Sequence, residues 1–142
     1  MAAIYDGLEF RTALEAHWAA FFDLAGWNWW YHPAAIGDWK PDFRVRFPCG
    51  HSECGGHHTL LVSVIPATDL HSLKDHPSLR HAYGNGAQGE RIPADAGALF
   101  GANPAATTWE MAHGAGGGVD TVAHWVDQAP QLWLRAGESV RI

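Results

Sequence analysis

Residues 40–66 read KPDFRVRFPCGHSECGGHHTLLVSVIP, and the fold turns on how this stretch is divided. Its left part alternates, with Phe43, Val45 and Phe47 on one side and Asp42, Arg44 and Arg46 on the other. That spacing predicts a strand with one buried face. Its right part, TLLVSVI, is apolar almost throughout, as expected of a central strand covered on both faces. There Leu60, Val62 and Val64 share one side, and Leu61, Ser63 and Ile65 share the other. Between the two lies CGHSECGGHH, which holds Cys49, His51, Cys54, His57 and His58.

N-terminal to this stretch, Leu14, Trp18, Phe21, Phe22 and Ala25 recur at helical spacing and predict a helix over 13–25. Thr12 followed by Glu15 is a capping-box sequence, and Gly26 stands where a helix C-cap would. Residues 3–10 read as a short strand or lead-in, and WNWWYHP as an aromatic strand stopped by Pro33. C-terminal to the stretch the signals weaken. Residues 69–84 predict one or two short helices broken by Pro77, and 85–104 a Gly/Ala-rich loop with a short helix. TTWEMAH reads as a strand, GAGGG as a turn, and 129–136 as a final helix. No repeat or linker divides the chain, so 1–142 is expected to form a single two- or three-layer α/β domain.

The composition restricts the partners. Nine Lys and Arg stand against fifteen Asp and Glu, a formal charge of −6, which gives no bulk attraction to nucleic acid. Any such contact needs a local basic patch, and Lys40, Arg44 and Arg46 form the one dense cluster. A hydrophobic fraction of 47% and eight Trp argue for a packed core. The Trp also exceed what a small core needs, which points to aromatic anchors on a binding surface. Without a membrane-spanning run or a signal-peptide pattern at the start, the sequence predicts a cytoplasmic protein with no membrane partner. In that compartment Cys49 and Cys54 are metal ligands or free thiols rather than a disulfide.

The run FRTALEAHWAAFFDLAGWNWWYHP followed by WKPDFRV resembles the PD-(D/E)xK nuclease superfamily. It is most similar to small phage and mobile-element members that begin with an Arg-Ser/Thr-x-x-Glu helix, a W-x-Y-x-P strand and a PDF strand. The resemblance covers about 5–66 and extends to FGANPAATTWEMAHGAGGG, within a family-specific C-terminal part at 67–142. It implies a restriction-endonuclease-like core, a central mixed sheet flanked by helices, with 48–58 as a zinc-knuckle-like loop insertion. Glu15 matches the helix carboxylate and Asp42 the metal-binding Asp. The third strand should then carry Glu-x-Lys, and Ser63 and Ile65 stand at those positions.

The departure is chemical. Such enzymes hold a divalent cation with carboxylates and use a Lys to activate water or offset developing charge. Ser is a weak ligand for a hard cation, and Ile donates nothing. Losing one transition-state stabiliser costs about two to three orders of magnitude in rate. The expectation is a catalytically degenerate, nuclease-like protein that binds nucleic acid or a host protein, in the host cytoplasm if phage-encoded. Inhibition of a host defence system would suit its acidic charge. One alternative is an active magnesium-dependent DNA endonuclease in which Glu110, Glu9 or Asp69 replaces the lost acid. Another is a zinc-stabilised protein-interaction module. Structural roles compete at each position: Glu15 as capping residue and i+4 partner of Arg11, Asp42 as partner of Arg44 or Lys40.

In the Cys/His cluster, Cys49, His51, Cys54 and His58 make the most even set of four for a structural zinc, with His57 as substitute. Four protein ligands would leave no open position for catalysis. A solvated loop with free thiols is the competing reading. His71, His76, His81, His113 and His124 lack metal-site spacing and are expected at the surface.

Overall fold

The computed structural model describes residues 2–50, 55–80, 94–113 and 116–142. The chain begins with a hairpin of β1 (Ala3–Tyr5) and β2 (Leu8–Phe10), turned at Asp6 and Gly7, both with positive φ. The lead-in expected over 3–10 is therefore two strands. Helix α1 (Ala13–Ala25) follows, with Thr12 as N-cap accepting the Glu15 N–H at 3.1 Å. Gly26 closes it in the left-handed conformation, φ 79°.

A six-stranded sheet then forms in the order β3 (Asn28–Tyr31), β4 (Phe43–Pro48), β5 (His57–Val64), β6 (Ala96–Phe100), β7 (Thr107–His113) and β8 (Gly116–Asp120). All neighbours are antiparallel except β5 and β6. Two helices, α2 (Val122–Trp125) and α3 (Ala129–Gly137), complete the chain. The result is a mixed α/β fold with a central mixed sheet flanked by helices.

One face of this sheet is covered by α1. Trp18, Phe21 and Phe22 of the helix pack on Phe43, Val45, Phe47, Leu60, Val62, Phe100 and Trp109, all buried. Fully burying a side chain of this kind contributes about 1.5–3 kcal/mol. Trp18 also donates its indole N–H to the Gly101 carbonyl at 2.9 Å and packs on Trp133 of α3 at 4.5 Å. Gly101 has no room for a side chain: an added Cβ would meet the Ala67 carbonyl oxygen at 2.3 Å.

Three C-terminal expectations change. The Gly/Ala-rich loop expected over 85–104 contains a strand, β6, whose five residues are all buried. Ala and Gly carry little strand propensity, but pairing with β5 on one side and β7 on the other makes the segment a strand, and context overrides propensity. GAGGG is not simply a turn, because Gly116, Gly117 and Gly118 pair along β7 through backbone alone. The expected short helices near Pro77 are 3-10 turns at His71–Leu73 and Pro77–Leu79, too short for an α-helical ladder.

Candidate functional site at the head of β4

Asp42 immediately precedes β4, and Glu15 lies in the first turn of α1. The fold brings them together under Arg11, the residue before the Thr12 cap. One guanidinium nitrogen of Arg11, Nη2, donates to Glu15 Oε2 at 2.6 Å and to Asp42 Oδ1 at 2.8 Å. Tyr31, the last residue of β3, donates its hydroxyl to Glu15 Oε1 at 2.6 Å and accepts the Arg11 backbone N–H at 3.0 Å. The Val64 N–H donates to Asp42 Oδ2 at 2.7 Å. Every oxygen of both carboxylates thus has a protein donor.

Burial and charge follow from this arrangement. The Glu15 and Asp42 side chains are 1% and 10% exposed, whereas that of Arg11 is 62% exposed and lies at the solvent boundary. Burial pushes the Asp42 carboxyl above its ordinary range. The Val64 N–H opposes that shift, Glu15 adds to it, and Arg11 opposes it again. Tyr31 is pushed up to about 12, chiefly by burial. The bond to Glu15 raises Arg11 above its usual value.

Sequence reasoning named Glu15 and Asp42 and the Arg11–Glu15 spacing, but paired Asp42 with Arg44 or Lys40. The partner observed is Arg11. The sequence reading gave Tyr31 no role, although it is the Tyr of the W-x-Y-x-P strand.

Ser63 is level with Asp42 when the ladder is extended by one residue from the Phe43–Val62 pair. Its hydroxyl is nevertheless engaged elsewhere, accepting the Trp39 indole N–H at 2.8 Å. Trp39 packs with Leu61, Ala94 and Ile36 in a second cluster, on the sheet face away from α1. Ile65 continues the β5 pairing, its N–H donating to the Phe100 carbonyl at 2.9 Å. Of the acids considered as replacements, Glu9 is exposed on β2. Glu110 and Asp69 instead line a cavity of about 700 Å³ with His71, Lys74, Thr108 and Ser78. Strand β6 separates β7, and hence Glu110, from β5.

Of the basic cluster Lys40, Arg44 and Arg46, the two arginines lie on the β4 face away from α1. Arg44 sits over the Trp30 ring at 4.6 Å, and Arg46 Nη2 lies 3.0 Å from His57 Nδ1. Lys40 is exposed in the segment leading to Asp42.

Of the proposed zinc ligands, Cys49 and His58 are described, whereas His51 and Cys54 lie outside the described residues. The loop ends meet: the Cys49 N–H donates to the Gly56 carbonyl at 3.0 Å, and Pro48 pairs with His57. His58 is 3% exposed, packs against Trp125, and has Nδ1 3.6 Å from an Asp95 carboxylate oxygen. Among the described residues no group of three or more His, Cys, Asp or Glu could hold a metal ion. Nor, among them, is any helix long and apolar enough to cross a membrane.

Comparison with family models, curated proteins and solved structures finds no match to this chain.

Proposed function

We propose that this protein is a catalytically silent, nuclease-like protein that acts by binding. The observation that carries this reading is the Arg11 guanidinium between Glu15 and Asp42, at 2.6 and 2.8 Å. Two carboxylates at the junction of a helix and a strand are the right chemistry for a magnesium ion. The Arg11 guanidinium already bridges them and compensates one of their two charges, and their other two oxygens accept from Tyr31 and the Val64 N–H. A divalent ion would have to displace Arg11 and both of its charge-assisted hydrogen bonds, which offsets part of what the ion would supply. With Ile65 in place of a Lys, and Ser63 turned to Trp39, the water-activating half of the site has no replacement.

A cleavage assay on single- and double-stranded DNA with magnesium or manganese tests this reading. The expected result is no cleavage and no rise in melting temperature with either ion. Cleavage that disappears in Asp42→Ala overturns it in favour of an active endonuclease. A variant carrying Ser63→Glu, Ile65→Lys and Trp39→Leu, the last to free position 63, is expected to gain metal-dependent cutting if the scaffold is a disarmed nuclease.

A structural zinc held by Cys49, His51, Cys54 and His58 is a second part of the proposal. It is favoured by the Cys49–Gly56 closure, which draws the loop ends together. An Asp95 carboxylate oxygen 3.6 Å from His58 Nδ1 is the type of group that serves as outer partner to a zinc-bound imidazole. His57 is the weaker substitute because its Nδ1 already faces Arg46. Elemental analysis should find one zinc per chain, lost in a Cys49→Ser, Cys54→Ser variant. A metal-free preparation with an unchanged melting temperature would remove this part alone.

A further inference from the structure

We infer that the face of β3 and β4 turned away from α1 binds single-stranded nucleic acid, with Trp30 as stacking platform and Arg44, Arg46 and the neighbouring His57 as phosphate contacts. The inference rests on the binding reading above and names the partner for it, on a surface separate from the Glu15 and Asp42 pair.

The surface follows from register. Trp30 pairs with Arg44, and Asn28 with Arg46, across β3 and β4. Arg44 pairs in turn with Leu61, and Arg46 with Thr59, across β4 and β5. Directly paired residues share a face, and Phe43, Val45 and Phe47 point to α1, so these two rows point away from it. His57 shares that parity, and its contact with Arg46 at 3.0 Å agrees. On β5 this face is buried at Thr59, Leu61 and Ser63, with Trp39 and Ile36 packed against Leu61, so its accessible part is Trp30, the half-buried Arg44 and Arg46, and the exposed His57.

The chemistry is selective. Trp30 is 44% exposed, unlike Trp18, Trp27, Trp39 and Trp109, which are buried. Arg44 lies over the ring at 4.6 Å, an arrangement in which the cation strengthens the ring as a stacking surface while one face stays open. Arg46 donates to His57 Nδ1, which leaves the Nε2 proton of that tautomer as a second donor beside the guanidinium. The nearby carboxylate of Asp95 already accepts the Thr59 N–H at 2.7 Å, and the exposed Asp38 lies in the turn that carries Trp39. In a chain of net charge −6, two adjacent Arg against one open indole form a local positive platform. A duplex offers no free base face to such a ring, whereas a single strand does. Charge and ring together therefore favour a single strand.

The test is anisotropy titration of a labelled twelve-nucleotide single strand and its duplex, with EDTA and with magnesium. The single strand should bind more tightly than the duplex in EDTA. The logarithm of affinity should fall with the logarithm of salt at a slope of about −1.4, the value for roughly two phosphates neutralised by Arg44 and Arg46. Trp30→Ala should weaken binding roughly tenfold, Trp30→Phe less. Arg46→Ala should lower the slope by about 0.7. Arg135→Ala, a loss of charge on α3, should change neither, and circular dichroism should show each variant folded. The inference is overturned if the single strand does not bind in EDTA, if the duplex is preferred, or if Arg135→Ala weakens binding as much as the platform variants. Loss of full-length strand only with magnesium would instead overturn the catalytically silent reading and leave the platform standing.

Discussion

The two sides of β4 carry the same kinds of residue and put them to opposite uses. Toward α1 and the strand head, Arg11, Glu15, Tyr31 and Asp42 hydrogen-bond to one another, with both carboxylates buried and the guanidinium at the solvent boundary. On the side away from α1, Arg44 and Arg46 meet an indole and an imidazole, and among the described residues neither has a carboxylate partner. A charge that is internally compensated contributes to architecture. One held beside an exposed ring remains available to a ligand. The site that looks most like an enzyme is therefore the less available of the two.

The comparison breaks most visibly in stability. Trp18→Ala removes a fully buried ring and its bond to Gly101, and should cost about 3–5 kcal/mol in urea unfolding. Near-equal costs for Trp18→Ala and Trp30→Ala would mean that the Trp30 face is part of a core. Next in size, Arg11→Met leaves two buried carboxylates without their cation. Breaking a fully buried pair costs about 3–5 kcal/mol. Because Arg11 is largely exposed and screened, about 2 kcal/mol is expected at neutral pH. The same variant should gain a melting-temperature rise with manganese that the parent lacks. No gain would mean that the pair is not a metal site even when vacated.

Asp42→Asn sharpens the electrostatic half. Burial holds the Asp42 carboxyl above its ordinary value, so the folded protein binds this proton more tightly than the unfolded chain. Stability from this group is then fully present below the unfolded value and is lost as pH rises through the folded one. Asn cannot ionise, so the melting temperature of Asp42→Asn relative to the parent should be higher at pH 7 than at pH 4. A difference that grows on acidification would mean that the pairing with Arg11 outweighs burial. Thr12→Ala removes the cap that starts α1 beneath this site and should cost about 1 kcal/mol. Trp30→Ala should be smallest, within about 0.5 kcal/mol, as for other exposed positions, while abolishing most binding to a single strand.

Much of this was legible in residue order. The α1 boundaries, its Thr12 and Gly26 caps, the alternation of β4 and the apolar run of β5 are local patterns with local physical causes. So was the 129–136 helix, observed as Ala129–Gly137. What escaped was β6, because AGALF has neither alternation nor β-branched residues, and only its position between β5 and β7 makes it a strand. The β8 glycines escaped for the same reason, since a strand paired through backbone alone leaves no side-chain signature. Within the site, Arg11–Glu15 is an i,i+4 spacing and could be read directly. The Arg11–Asp42 contact spans 31 residues and could not.

By itself, then, the sequence determined which groups exist and which neighbours along an element they have: an acid on a helix, an acid at a strand head, Ser63 and Ile65 two residues apart on an apolar run. Tertiary structure decided which of those groups were spent on one another. Packing α1 against the sheet and pairing β3 with β4 set Arg11 and Tyr31 on the carboxylates and turned Trp39 to Ser63. The same pairing set Arg44 on Trp30 on the face away from α1. A hydrogen bond is satisfied in space, not along the chain, so only the fold determines which charges remain to meet a ligand.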